Sequence, residues 1–527
     1  MDKIKKINFI PDLVLILLFL IFIGSGMVIG PFFGDINVID EGQFAAWLRH
    51  MLNGEHLYKD IYSAYGPLLV YPAYLMAKIF GPSVFLLRIV YAVTFAFIAI
   101  VVIRYILSFL KVNRFFSFFT ILFLAIVPGI GMRQGIGLLT ILLIFLASKK
   151  RNYIWPVFSG ISLAASFLIS SEIGIFTTVT ILVYWIYCFI TVKDVRGTLK
   201  KILTAVFSAG IFLLLFYFWS STEGWFSAYI QNVFTDLSIY SSIDLPNGKA
   251  FPNIIELFPQ DSSFVSWMKF LVSKDALLYW TYLFYICVFT YIFVKISLRK
   301  VREEDVLMGM VAVYGFLISM ILIGRSGHFP FVLAPVAVIC AYFLNQLFDL
   351  LKKTKNIKER CSALILIAII ILFTVRIVLI YRPHFHRLFL VPQNISLSAS
   401  DVPFIGATSI SESQKTELLK TTKYIDENTL PTDNVFFLGN EPLMYLVTNR
   451  GNPTRYDIPV VANTKEKRLE VLNDIINDKT KVVIFNRNSW SVDGISNLDR
   501  LPELLEYLNE NYTKSTIGEL EVYKIKS

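Results

Sequence analysis

Two adjacent carboxylates, Asp40 and Glu41, lie shortly after the first apolar run, in the stretch Asp35-Ile-Asn-Val-Ile-Asp40-Glu41-Gly42-Gln43-Phe44. Such a pair, held in place, can take a proton from an attacking hydroxyl or hold a divalent metal. A structural reading stands beside the chemical one. Asp40 occupies the position of a helix N-cap, and Gln43, three residues on, completes the spacing of a capping box. The two readings are compatible, because a cap fixes the carboxylate and a base must be fixed.

The rest of the chain offers little recognisable chemistry. Cys188, Cys287, Cys340 and Cys361 fall in or beside apolar runs without CxxC spacing, which supports neither a disulfide framework nor a zinc site. No His/Cys/Asp/Glu cluster has metal-ligand spacing, and neither GxSxG, a P-loop nor a dinucleotide fingerprint occurs. No cofactor is expected, a divalent metal at the carboxylate pair being the one alternative.

The elements that must position these residues follow from composition. Of 527 residues 55% are hydrophobic and 17% charged, against about 25% charged in soluble proteins. This excludes disorder, collagen and a small disulfide scaffold, and gives a polytopic helical membrane protein. The formal charge of +10 comes from basic residues in short loops between apolar runs, so it fixes orientation and implies no nucleic-acid partner.

A bilayer core of about 30 Å takes roughly 20 helical residues. Apolar runs at 13–29, 84–109, 115–127, 136–147, 153–169, 173–191, 202–219, 276–294, 306–323, 329–348 and 364–380 give about eleven spans. The runs at 115–127 and 136–147 are short and read equally as one re-entrant pair. The first run follows Lys3, Lys5 and Lys6 and is read as an uncleaved helix. Lys111 and Arg114, Lys149 to Arg151, Lys193 to Lys201, Lys295 to Arg302 and Lys352 to Arg360 occupy alternate loops with the N-terminal lysines. By the positive-inside rule this set is cytoplasmic. The loops at 32–82 and 220–275, the turns at Arg133, Glu172 and 324–328, and everything beyond Tyr381 are then outside.

Within the first outer loop, Phe44, Trp47, Leu48, Met51 and Leu52 predict an amphipathic helix of about three turns, stopped by Gly54 and lying in the membrane interface. Tyr65-Gly66-Pro67 opens a second short helix, which Gly81-Pro82 breaks. The outer segment 220–275 carries Trp225, Tyr229, Tyr240 and Trp267, interfacial anchors or stacking surfaces. Past residue 381 the pattern alternates: helix 416–428, strand 435–438, helix 465–477, strand 482–485 and helix 501–511, a small α/β domain. Its most distinctive stretch, Asn449 to Tyr456, reads as a turn around Gly451 and Pro453. The expected layout is an all-α polytopic membrane domain at 1–380, which includes the outer loops 32–82 and 220–275. An extracytoplasmic α/β accessory domain follows at 381–527.

The outer loops also carry a resemblance. Asp40-Glu41-Gly42, Gly54, Tyr58, Asp60 and Gly66-Pro67, then Gly160 with Glu172-Ile-Gly174, then Gly324-Arg325-Ser326-Gly327-His328 with Pro330 and Pro335, resemble the membrane glycosyltransferases of the GT-C superfamily. The nearest pattern is that of family 39 and its bacterial relatives, protein O-mannosyltransferases and aminoarabinose transferases. The usual pattern has an acidic residue after Arg-Ser, where this chain has Gly327. The resemblance implies transfer, with inversion, of a sugar from a polyprenyl-phosphate donor to an acceptor hydroxyl of a glycan, lipid or protein outside a cell membrane. It implies Asp40 and Glu41 as the catalytic carboxylates. Arg325, His328 and Arg133 would meet the donor phosphate, which needs cations rather than an acid. Glu172, Asp60 and Tyr58 would touch substrate. The competing class is a polytopic transporter or lipid flippase, which should carry ionisable residues at mid-span and repeated halves; here the acids gather in the outer loops.

Overall fold

The computed structural model of the protein describes residues 35–91, 98–126, 133–191, 194–235, 261, 263–271, 273, 276–320, 332–380, 401–489 and 496–526. The expected span at 13–29, and the Gly324–His328 turn with Arg325, lie outside the described residues. Contacts divide the chain into two compact units: residues 1–27, 91–216 and 249–390, and residues 28–90, 217–248 and 391–527. The described residues of the first outer loop, together with 217–235, thus group with the C-terminal domain, while 263–271 group with the membrane helices. The helix Asp40–Leu52 packs on the short helix Leu443–Val447, and hydrogen bonds described below join the loops to that domain.

The first unit is helical throughout its described part. Among the described residues five helices are long and apolar enough to cross a membrane: Ser171–Thr191, Val195–Thr222 (whose last turns group with the second unit), Tyr279–Ser297, Leu333–Lys353 and Ile357–Leu379. Ile98–Phe109, Gln134–Lys149 and Ile154–Ile169 are apolar but shorter, as is the helix starting at Arg114. The run at 84–109 is described as two helices, Val84–Tyr91 and Ile98–Phe109.

Burial sorts these helices. The best window of Leu333–Lys353 is 61% buried, against 17% for Val195–Thr222 and for Ile357–Leu379, so the first is central and the other two present apolar side chains outward, as lipid-facing helices do. Ile106, Ile141, Val311, Tyr314, Val338 and Tyr342 are part of the common core. Where water is excluded, small hydroxyl residues join helices: Thr140 Oγ1 lies 2.7 Å from Ser162 Oγ and 3.2 Å from Ser166 Oγ.

The second unit is built on a four-stranded sheet of order β1-β2-β4-β3, with β1 Val435–Phe437, β2 Val482–Asn486, β3 Tyr512–Ile517 and β4 Leu520–Ile525. β1 and β2 are parallel, and β4 runs antiparallel to both β2 and β3. Phe436, Val483, Tyr523, Ile475, Leu504 and Leu508 form its core. The expected helices appear as Glu412–Asn428, Lys465–Asp478 and Pro502–Asn511. The β3–β4 hairpin was not expected. Its strand β3 is mostly exposed and polar, so the apolar signal of a strand is missing there. Gly518, at φ 64°, makes its turn.

The first outer loop belongs to this unit. Its helix, Asp40–Leu52, buries Phe44, Trp47, Leu48 and Met51. The apolar face expected in the membrane interface is therefore covered by protein. Gly42 faces the short helix Leu443–Val447, where an added Cβ would lie 2.6 Å from the Leu443 nitrogen. The second helix, Pro67–Phe80, starts with Pro67 after an extended Gly66 and ends at Gly81 with φ 81°, as the turn residues require.

Candidate active site

The helix carrying the carboxylate pair begins at Asp40 itself, with Ile39 at the cap position and no side-chain cap. The expected capping box is therefore corrected. Asn37 closes the entry instead: its Oδ1 accepts from the backbone nitrogens of Ile39 and Asp40, each at 3.0 Å. Asn37 wins because an Asx turn satisfies two amides before the helix starts. The Asn37 Nδ2 then donates to Asp40 Oδ2 at 2.8 Å. Asp40 is exposed, and both acids stand in the first turn, where the helix dipole favours negative charge.

The two neighbours have different surroundings. Glu41 is gripped by Arg88, whose Nε donates to Oε1 at 2.9 Å and whose Nη2 donates to Oε2 at 2.8 Å. Arg88 is 2% exposed and also donates to the Asp35 carbonyl at 3.2 Å. Burial pushes the Glu41 carboxyl above its usual range, and the Arg88 fork pulls against that shift. Arg88 was missed in the sequence because it lies in a run read as a membrane span; a charge in such a run is itself a signal for a buried acidic partner.

The domain after residue 400 holds the loop in place. Asp35 accepts from the Ser411 backbone nitrogen at 2.7 Å and from its hydroxyl at 3.0 Å. The Gln414 side chain takes both the nitrogen and the carbonyl of Ile36, each at 2.9 Å. At the other end of the helix, His50 sits between Glu55 at 3.0 Å and Asp457 at 3.1 Å. Burial opposes a charged ring, but the two carboxylates outweigh it and push His50 up to about 10. The stretch read as a turn is thus a docking edge: the Arg455 carbonyl accepts from the Tyr62 backbone nitrogen at 2.8 Å, and Arg455 Nη2 donates to Asn232 at 2.8 Å.

Tyr58 is fully buried at φ 76°, a conformation rare outside glycine. Its hydroxyl donates to the Tyr65 carbonyl at 2.7 Å, and its ring packs on Trp225 and Tyr229. Those two aromatics, read as anchors or stacking surfaces, are core residues. Asp60 is exposed and closes a turn on the His56 nitrogen at 2.8 Å.

In the first unit, Arg133 and Glu172 come together. Arg133 Nη1 donates to Glu172 Oε1 at 2.7 Å, at the start of two neighbouring helices, and both side chains are partly exposed. Gln134, the next residue, is buried, and its Oε1 has no hydrogen-bond partner among the described residues. A cavity of about 70 Å³ lies at the other end of these helices, lined by Ser148, Tyr184, Cys188 and Lys201 among others. Among the described residues no group of three His, Cys, Asp or Glu side chains is placed to hold a metal ion.

No described protein family matches the sequence, and no curated protein matches it. Solved structures do. The archaeal oligosaccharyltransferase AglB from Archaeoglobus fulgidus, in complex with an inhibitory peptide and a dolichol-phosphate, aligns over 99% of this chain and 75% of its own, with 12% identity and a TM-score of 0.51. ArnT from Cupriavidus metallidurans in the apo state aligns over 98% of this chain and 97% of its own, with 11% identity and a TM-score of 0.50. The same enzyme bound to undecaprenyl phosphate aligns over 98% of both chains, with 10% identity and a TM-score of 0.50. The chain shares the fold of both neighbours.

Proposed function

We propose that this protein is a membrane glycosyltransferase that moves a sugar from a polyprenyl-phosphate donor to an acceptor hydroxyl on the outer face of a cell membrane. The fold it shares with AglB and ArnT supports membrane glycosyl transfer in general. Structures of those neighbours hold dolichol-phosphate and undecaprenyl phosphate, which supports the choice of donor. The observation that carries the reading is the contrast between two adjacent acids: Glu41 is locked to buried Arg88, while Asp40 is exposed and steadied by Asn37.

In this reading Asp40 takes the proton of the acceptor hydroxyl as its oxygen attacks the anomeric carbon. The bond to the donor phosphate breaks on the opposite face, with inversion. Glu41 orients the helix start through Arg88. The leaving phosphate needs cations; Arg133, steadied by Glu172, is the described residue assigned to it, together with Arg325 and His328. Tyr58 holds the shape of the outer loop. Asp60, exposed beside it, is assigned to substrate. The loop charges support a cytoplasmic N-terminus and an extracytoplasmic C-terminal domain.

The test is transfer from a labelled polyprenyl-phosphate sugar by the purified full chain. Asp40→Asn removes the base and should lower the rate by about 10²–10⁴-fold while the protein melts as before. Unchanged transfer in a folded Asp40→Asn protein would sink the assignment.

A further inference from the structure

β1 and β2 are neighbouring parallel strands, and in open α/β sheets the region outside the carboxyl ends of such strands is where ligands bind. Here that region collects polar side chains from several elements. Glu417 comes from the helix Glu412–Asn428, Glu441 from the loop after β1, Asn486 from the end of β2, and Asn497 from the short helix Asn497–Arg500. The amide of Asn486 donates to both carboxylates, to Glu417 Oε1 at 2.7 Å and to Glu441 Oε1 at 2.7 Å. One NH₂ group therefore holds two acids side by side.

Their remaining chemistry is one-sided. Among the described residues no lysine or arginine forms an ion pair with either carboxylate, although fourteen such pairs occur elsewhere among them. The second, independent observation is Asn497, which is 3% exposed. Its Nδ2 donates to the Leu438 carbonyl at the end of β1 at 2.8 Å and to Asn440 Oδ1 at 3.0 Å. Its Oδ1 has no hydrogen-bond partner among the described residues. A buried amide oxygen left unbonded costs about 1–3 kcal/mol, so an acceptor kept in that state asks for a donor.

We propose that the carboxyl ends of β1 and β2 form a binding site for a primary-ammonium ligand, held by Glu417, Glu441 and Asn497. The unused atoms are all acceptors and two of the groups are carboxylates. An alkylammonium offers three donors and the opposite charge. A neutral hydroxyl brings one donor and no charge. A divalent cation wants more oxygen ligands than two carboxylates provide. Glu441 adds a signature of its own. Burial and the facing Glu417 push its carboxyl up to about 7, against the pull of Asn486. A bound cation favours the ionised form, so binding near neutral pH releases a proton. The site stands apart from the transferase reading, and binding is read without turnover, so failure of one leaves the other standing.

The experiment titrates the full chain in detergent with ethanolamine and with ethylene glycol, its neutral counterpart, by calorimetry at pH 6.5 in two buffers of different ionisation enthalpy. Ethanolamine should bind at least ~10-fold more tightly, with net proton release. Glu441→Gln should abolish the proton release and weaken binding by ~10-fold or more. Glu417→Gln, at an exposed position, should weaken binding while keeping the release, and it decides the matter if Glu441→Gln fails to fold. A second arm compares melting in nanodiscs of phosphatidylethanolamine and of phosphatidylglycerol. Saturation by free ethanolamine assigns a soluble amine. A stabilisation seen only with phosphatidylethanolamine, and lost in Glu417→Gln, assigns a lipid headgroup. Equal binding of ethanolamine and ethylene glycol with no difference between nanodiscs overturns the proposal, as does binding unaffected by either substitution.

Discussion

Arg88 holds Glu41 by two parallel hydrogen bonds, Nε to Oε1 at 2.9 Å and Nη2 to Oε2 at 2.8 Å, across 47 positions of sequence. This gives two adjacent acids different surroundings. A carboxylate using both oxygens on a buried guanidinium is an anchor.

The anchor gives a first prediction. Arg88→Ala leaves Glu41 part-buried and unpaired, which costs about 3–5 kcal/mol; Arg88→Lys keeps the charge but loses the fork. Melting of the purified chain should fall strongly in the first and less in the second, whereas Asp40→Asn should melt as the parent does. Equal melting of Arg88→Ala and the parent would show that the pair does not anchor the loop.

The His50 latch gives a pH dependence. The ring lies at about 10 in the folded chain against an ordinary 6.5. A raised pKa means that the folded state holds the proton more tightly. The stabilisation is complete below about 6.5 and is lost as pH rises through about 10. Melting temperature measured from pH 6 to 10.5 should therefore fall more steeply in the parent than in His50→Phe. Parallel curves would dispose of the latch.

Arg133 and Glu172 should act on the donor. Arg133→Lys keeps charge and loses planar, two-point geometry, and Glu172→Gln removes the partner that steadies the arginine at 2.7 Å. Both should raise the KM for a polyprenyl-phosphate sugar more than they lower kcat at saturation. A donor KM unchanged in both variants would remove the pair from donor binding.

Topology is open to direct labelling. With the exposed Cys287 and Cys361 replaced by serine, single cysteines placed at Glu427 and Lys355 should react with an impermeant maleimide from opposite sides of sealed vesicles. Labelling of both from the same side would overturn the orientation drawn from the loop charges.

Much of this molecule is legible one residue at a time. Apolar runs mark membrane helices because the bilayer tolerates no unpaired backbone, and Gly66-Pro67 and Gly81 punctuate a helix through local sterics alone. The strands at 435 and 482 are readable because both are buried along their whole length. The resemblance in the outer loops likewise pointed to the fold shared with AglB and ArnT.

Tertiary structure decided the rest, because the decisive contacts join distant parts of the chain. Glu41 is set apart from Asp40 by Arg88, 47 positions away. His50 becomes a latch only when Asp457, 407 positions away, is brought to 3.1 Å. Gly42, one letter of a motif in the sequence, is the place where Leu443 comes too close for a side chain. The amphipathic stripe of Asp40–Leu52 fits a membrane surface or a protein surface equally well, since burial of apolar area is non-directional. Only the folded chain shows that protein covers it.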